Sequence, residues 1–167
     1  MTKNMTRMVI EKDYLHFSAA HFTLFSDTER ENLHGHNYHV RCIVEAPVGR
    51  DGLCFDYSTL KDALLECCNE LDEFMLLPTL SPWLSISEEA DGNLVVQFAS
   101  ERLMFLKRDV KQVEVANITI EALADWFLKR LVSNAAIADL PIATLTIGIS
   151  SGSGQWAEAI HNDSKTF

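Results

Sequence analysis

The run LHGHNYHV at residues 33–40 decides how the chain is read, because it sets His34 and His36 two apart with only Gly35 between them. Along an extended strand successive side chains point to opposite faces, so residues 34 and 36 project to one side and their imidazoles converge. Upstream, HFSAAH at residues 16–21 closes on His21 in an apolar setting. A third imidazole from an adjoining strand completes a half-shell of neutral nitrogens, which suits zinc and leaves a fourth tetrahedral position open for water or substrate. The plainer reading of a His-x-His pair is a solvated strand face, since a short motif is only a hypothesis.

Around that motif, 167 residues fit one domain, and 47% hydrophobic with 23% charged residues is ordinary globular composition. A net charge of −10 argues against a nucleic-acid phosphate track or an anionic membrane surface, both of which favour basic patches. Neither nucleic acid nor membrane is expected as a partner. The opening MTKNMTRM lacks the apolar core of a signal peptide and no later apolar run reaches a membrane span, so a cytoplasmic location is expected. Cys42, Cys54, Cys67 and Cys68 have no C-x-x-C spacing. They read as reduced, with the adjacent pair buried inside a helical pattern.

Periodicity supplies the elements. Residues 8–20 carry Val9, Ile10, Tyr14, Leu15 and Phe17 among polar residues, and residues 36–45 alternate through Tyr38, Val40, Cys42 and Val44, which predicts two strands. APVGRDG at 46–52 predicts a turn into a short strand at 53–55, making a hairpin. Asp56 or Ser58 can cap a helix whose apolar positions Tyr57, Leu60, Leu64, Cys67 or Cys68 and Leu71 recur at three and four. Between residues 79 and 115 the pattern changes to an inserted β-hairpin with its tip near Asp91 and Gly92. A second helix starts at Asn117 or Thr119, with Ile120, Leu123, Ala124, Phe127, Leu128 and Leu131 on one face. Leu145, Ile147 and Ile149 alternate as a last strand ending in the loop SSGSGQW. The result is a single α+β domain over residues 1–167.

In this order, HFSAAH, LHGHNY, FDYSTLKDAL, LDEFML and NITIEALADWF resemble the 6-pyruvoyl-tetrahydropterin synthase and 6-carboxytetrahydropterin synthase superfamily. The resemblance spans nearly the whole chain apart from the insertion. It implies a tunnelling fold: an antiparallel β-sheet with two helices packed on one face, trimers whose sheets close into a β-barrel, and two trimers stacked into a homohexamer. It further implies Zn2+ held by His21, His34 and His36, and a pterin-like substrate. That substrate is 7,8-dihydroneopterin triphosphate, which loses triphosphate as its side chain is rearranged or cleaved, in biopterin or queuosine biosynthesis. Zinc would polarise a side-chain hydroxyl or carbonyl while a base removes a neighbouring C–H proton.

Three chemical positions depart from the family pattern. The family has a cysteine shortly before the HGH motif, but FTLFSDTERENL at 22–33 contains none, and four residues before His34 stands Arg30. Some branches carry a glutamate there, and Glu29 and Glu31 flank the position. Either could serve as general base if partial burial raised its pKa toward neutrality; the alternative is a solvated loop. The family's Asp-His pair matches Asp72-Glu73, with the alternative that both merely end a helix before Phe74 and Met75 enter the core. Where the family presents a ring-anchoring glutamate, this chain offers Ile149, Ser150 and Ser151, which would leave buried ring donors unpaired at about 1–3 kcal/mol each. Asp72, Glu73 and Glu31 are therefore the catalytic candidates, with Glu29 farther from His34.

Two functions compete. One is a zinc-dependent pterin-type lyase with a carboxylate in place of the cysteine. The other is a catalytically altered or inactive paralogue, a zinc-stabilised oligomer binding a different small molecule. A carboxylate near the open coordination position favours the enzyme; a pocket lined by Ile149 and Trp156 without an acid favours the paralogue. Among other polar residues, Thr119 and Glu121 match the family's TxE segment, whose threonine lies near the pterin, or else form a helix cap with a carboxylate on the dipole. Trp156 is expected as an aromatic pocket wall. His16 and His39 are out of phase with the three ligands, and His161 falls in a polar tail expected to be disordered.

Overall fold

The two histidine motifs pair at the centre of the main sheet. In the computed structural model, which describes residues 4–162, β2 (His16–His21) runs antiparallel to β3 (His34–Pro47), with His21 opposite His34 and Ala19 opposite His36. β1 (Met5–Ile10) pairs with the far half of β3. The segment expected as one strand over residues 8–20 is thus two strands separated by a turn. α1 (Ser58–Leu71) leads into β4 (Phe74–Pro78), and β8 (Val110–Val113), β9 (Thr144–Ser150) and β10 (Ala157–Asn162) complete the sheet in the order β10-β9-β3-β2-β4-β8.

The sheet is mixed and not wholly antiparallel as expected. β4 runs parallel to β2, and β8 parallel to β4. Parallel neighbours need crossover connections, and the chain has two, one through α1 and one through the excursion between β4 and β8. The short strand expected at 53–55 does not form. The Gly49 N–H donates to the Leu53 carbonyl, with Gly52 at φ +83°, so this backbone closes on itself as a turn. β10 includes His161, opposite Leu145. Ladder hydrogen bonds order this polar segment whatever its side chains, so His161 lies in a strand and not in a disordered tail.

Leu60, Leu64 and Leu71 of α1 and Leu123, Phe127 and Leu131 of α2 (Ile120–Val132) belong to one core cluster with Phe17, Tyr38, Val40, Cys42, Ile147 and Ile149 of the sheet. The Thr119 hydroxyl accepts the Ala122 N–H at 3.2 Å and caps α2, whereas the N-cap of α1 is Tyr57 and caps nothing; the Asp56 Oδ1, one residue earlier, accepts the Ser58 N–H at 2.9 Å. All four cysteines are free thiols, and burial pushes Cys67 up to about 11 and Cys42 and Cys68 up to about 12. A short α3 (Ala135–Ala138) follows α2. Among the described residues no helix is long and apolar enough to cross a membrane.

The excursion forms a separate three-stranded sheet, β5 (Leu84–Glu88), β6 (Asn93–Phe98) and β7 (Glu101–Leu106). The expected hairpin is present, turning at Gly92 with φ +82°, but β7 extends it. The β6–β7 turn places Ala99 at φ +49°, so it carries no glycine or asparagine to announce it.

Candidate metal centre and pocket

Alternation along β2 and β3 brings His21, His34 and His36 to one face, beside Tyr38. Glycine between the two β3 ligands has a local reason: a Cβ on Gly35 would stand 3.1 Å from the Ala19 carbonyl oxygen across the strand pair. One ring nitrogen from each histidine lies within 4.8 Å of the others, so the group could hold a metal ion. The backbone sets two of the tautomers. His21 Nδ1–H donates to the Ile118 carbonyl at 3.0 Å, and His34 Nδ1–H to the Asn32 carbonyl at 2.8 Å, which leaves a lone pair on each Nε2.

His34 Nε2 and His36 Nε2 are 3.0 Å apart, while His21 Nε2 is buried with no hydrogen-bond partner among the described residues. A buried acceptor without a donor costs free energy; one divalent cation at the focus satisfies all three nitrogens, so these residues fit a metal. Burial, with His34 next in size, holds His21 down to about 4, and burial likewise holds His36 below its ordinary value. Both imidazoles are therefore neutral near pH 7, the state that coordination requires.

The histidines open into a cavity of about 610 Å³, within the range of small-molecule sites. Glu31 lines it. Its Oε2 lies 4.0 Å from His34 Nε2 and accepts the Thr23 N–H at 3.0 Å, while the Glu31 N–H donates to the Thr23 carbonyl at 2.8 Å. Burial pushes the Glu31 carboxyl up, but the Thr23 hydrogen bonds and the neighbouring histidines outweigh it, and the pKa ends below its ordinary value. The condition that burial raise Glu31 toward neutrality is not met; it is an ionised carboxylate. Glu29 is exposed, its N–H donating to Ser26 Oγ at 3.0 Å. The solvated-loop reading holds for Glu29 and fails for Glu31.

Trp156 and Thr119 also line the cavity, Thr119 serving as helix cap at the same time. Trp156 is held by the Arg41 guanidinium, 4.1 Å over its ring, and Arg41 is paired with Glu158 at 2.9 Å. A Cβ on Gly148 would stand 2.9 Å from Arg41 Cγ and 3.3 Å from the Trp156 ring, so only glycine lets this stack lie flat on β9. Ile149 does not face the cavity; it is fully buried in the core, and Ser151, Gln155 and Trp156 line the cavity beyond β9.

Within one chain Asp72 and Glu73 lie outside the lining of the three-histidine cavity. Asp72 Oδ1 accepts the Ser18 N–H at 2.7 Å, and Glu73, at φ +63°, donates its N–H to the Ser18 carbonyl. Glu73 lines a second cavity with Ser18, Gly35, His36 and Asn37. The left-handed turn at Glu73 lets α1 hand over to β4. His16 and His39 are exposed.

Pocket residues absent from the sequence reading are Thr23 and Tyr38, and Glu121, which was read within the TxE segment or as a carboxylate on the helix dipole, also lines the cavity. The first two carry a usable signal, each lying two residues beyond a ligand histidine on the same face. Tyr38 is buried and its hydroxyl has no partner among the described residues; burial, and then Glu31, push its pKa well above the ordinary phenol value. Glu121 lies in the first turn of α2, where only the tertiary course of the helix aims it.

Fold and site together define a class: an α+β protein that presents three converging imidazoles and two carboxylates, Glu31 and Glu121, to a small-molecule cavity. The sequence matches the 6-pyruvoyl tetrahydropterin synthase family over residues 10–160, and the chain belongs to that family. Its relatives include a Pyrococcus horikoshii protein described as a candidate 6-carboxy-5,6,7,8-tetrahydropterin synthase, 29% identical over 121 residues, or 71% of each chain. The fold superposes on Plasmodium vivax 6-pyruvoyl tetrahydropterin synthase with a TM-score of 0.88 at 27% identity, covering 95% of this chain and 99% of that one. Another structure of the P. vivax protein, with a catalytic glutamate replaced by alanine, matches with a TM-score of 0.87 at 26% identity, over 95% and 99% of the two chains.

Proposed function

We propose that the protein is a zinc-dependent lyase of the pterin type, acting on 7,8-dihydroneopterin triphosphate or a related compound, with Glu31 as its proton acceptor. The observation that carries this reading is the Glu31 carboxylate, 4.0 Å from His34 Nε2 at the mouth of the three-histidine cluster. That a structural relative in Plasmodium vivax has a glutamate as a catalytic residue supports a carboxylate in this role.

His21, His34 and His36 would hold the zinc. Bound there, it supplies a Lewis acid that polarises a hydroxyl or carbonyl on the substrate side chain. Glu31, ionised and oriented by the Thr23 N–H, takes the proton from the carbon beside that oxygen. Trp156, braced by Arg41, gives the pterin ring a flat wall, and Thr119, Glu121 and Gln155 supply polar groups to its edge. The first-turn carboxylate of Glu121 is an acceptor for ring N–H donors in place of the glutamate missing at residues 149–151. Asp72 and Glu73 lie outside the lining of the three-histidine cavity and would join a histidine site across an interface with another copy.

A homo-oligomer, a trimer or hexamer, accompanies this reading. Among the described residues β10 and β8 end the main sheet without a further partner, and an unpaired edge invites another copy. Sedimentation at micromolar concentration is expected to give a trimer or hexamer, and a stable monomer would count against the barrel assembly.

The rival reading, a zinc protein repurposed for another small molecule, draws on Ser150. Its buried hydroxyl is spent on the Gly152 carbonyl, near where the family keeps its ring anchor. Zinc-loaded protein incubated with 7,8-dihydroneopterin triphosphate decides between them. Release of triphosphate with consumption of the pterin side chain is expected; full zinc with no turnover and no saturable pterin binding favours the rival.

A further inference from the structure

The three-stranded sheet β5–β7 contributes no residue to the histidine cavity among the described residues, yet it packs directly behind that cavity's wall. Beyond His21 the chain keeps strand-like alternation: Thr23 faces the cavity, and Phe22 and Leu24 face the other way. Phe22 and Leu24 form a second core cluster with Val96 and Phe98 of β6, flanked by Leu103 and Phe105 of β7. The loop then doubles back, with Leu24 bridging to Arg30.

At that return Arg30 adds a polar link to the added sheet beside this apolar packing. Its Nε donates to Glu101 Oε2 of β7 at 2.7 Å, and its Nη1 donates to the carbonyl of Glu31 at 2.8 Å. Its guanidinium lies 5.0 Å over the Phe22 ring. The side chain is only 16% exposed, so the pair is shielded on the arginine side. The family cysteine's place by sequence count is thus taken by a residue aimed away from the cavity, and Glu31 next to it is aimed in.

The geometry points to Arg30 as a positioning residue for Glu31, with Glu101 of the added sheet as its anchor; this rests on the reading of Glu31 as the base. One end of the Glu31 backbone is tied to Thr23, the other to the Arg30 guanidinium, and Arg30 is bolted to a rigid sheet. The loop's own backbone bonds, Phe25 and Ser26 N–H to the Glu29 carbonyl and Glu31 N–H to the Thr23 carbonyl, close it on itself and leave its seat against the added sheet to side chains. Displacing a catalytic group by about 1 Å can cost on the order of 10²-fold in rate, so the added sheet acts on the chemistry without touching the substrate.

The test compares Arg30→Ala, Glu101→Ala, Glu101→Gln and the double alanine variant as zinc-loaded proteins turning over 7,8-dihydroneopterin triphosphate. Arg30→Ala and Glu101→Ala are expected to lower kcat roughly 10- to 100-fold, with KM and zinc content unchanged. The double variant should be no slower than Arg30→Ala alone. Glu101→Gln, which keeps an acceptor oxygen, should recover most of the loss. Arg102→Ala removes the Arg102–Glu89 pair within the same sheet and should leave kcat unchanged, separating the tether from general loosening of the sheet. A wild-type kcat in Arg30→Ala, or strictly additive losses in the double variant, would overturn the proposal.

Amide hydrogen exchange supplies a readout that needs no activity. Exchange at Thr23 and Glu31 should rise in Arg30→Ala and Glu101→Ala, and unchanged exchange overturns the tether. A wild type that does not turn over, together with raised exchange, would remove the base role from Glu31 while supporting the clamp on its loop.

Discussion

Glu31→Gln is expected to lower kcat on 7,8-dihydroneopterin triphosphate by roughly 10²–10⁴-fold, the usual scale of one general base. The amide is nearly isosteric and its oxygen can still accept the Thr23 N–H, so the loop keeps its shape. It cannot take a proton, however. Zinc content and oligomeric state should therefore match the wild type, and the loss should fall on kcat and kcat/KM together, as for an interaction made only in the transition state. Glu29→Gln serves as the comparison, since Glu29 is exposed and hydrogen-bonded within its own turn. Equal turnover by Glu31→Gln and wild type would sink the carboxylate mechanism and leave the family membership untouched.

His34→Ala is expected to abolish stoichiometric metal binding. Protein purified without a histidine tag should carry about one zinc per chain, held at about 2.0–2.1 Å from each nitrogen, and elemental analysis of the variant should find none. Removing one ligand leaves His21 Nε2 buried beside a single remaining imidazole, so the rest of the site cannot compensate. A variant that keeps its full complement of zinc would refute the three-histidine assignment.

Metal removal also carries a pH signature. In the metal-free protein His21 titrates at about 4, down from 6.5 in an unstructured chain. Between those values the unfolded chain binds the proton and the folded one does not. The stability is therefore intact above pH 6.5 and is lost as pH falls toward 4, by an amount on the order of 3 kcal/mol. Chelated protein should become measurably easier to unfold in denaturant across that window.

The histidine triad was legible because it obeys the shortest period in protein structure. Residues two apart on a strand share a face, and HFSAAH pairing with LHGHNYH sets His21 opposite His34 without help from the rest of the chain. The helices were equally legible: Leu60, Leu64 and Leu71, and Leu123, Phe127 and Leu131, recur at helical spacing and lie in the core. Thr23 and Tyr38 could have been found by carrying the same strand period one step past each motif.

Glu31 was nominated with Asp72 and Glu73, but its place beside the histidines was not legible. Glu29, Arg30 and Glu31 are consecutive charged residues in a loop with no repeating geometry, and composition treats them alike. Their separation is decided by partners distant in sequence: Glu101 draws Arg30 outward, and Thr23 and the histidines hold Glu31 inward. Motif position nominated Asp72 and Glu73, and within the chain both are held by the Ser18 backbone outside the lining of the three-histidine cavity.

What the amino-acid sequence determined by itself is whatever depends on local period and on side-chain chemistry: the converging imidazoles, two amphipathic helices, an α+β chain and free thiols. Tertiary structure alone decided the parallel course of β4 and β8, the third strand after the unannounced turn at Ala99, the ordering of β10, and which carboxylate faces the histidines. Each of these is a pairing or packing contact between segments far apart in the chain, where the free energy comes from a partner that no local window contains.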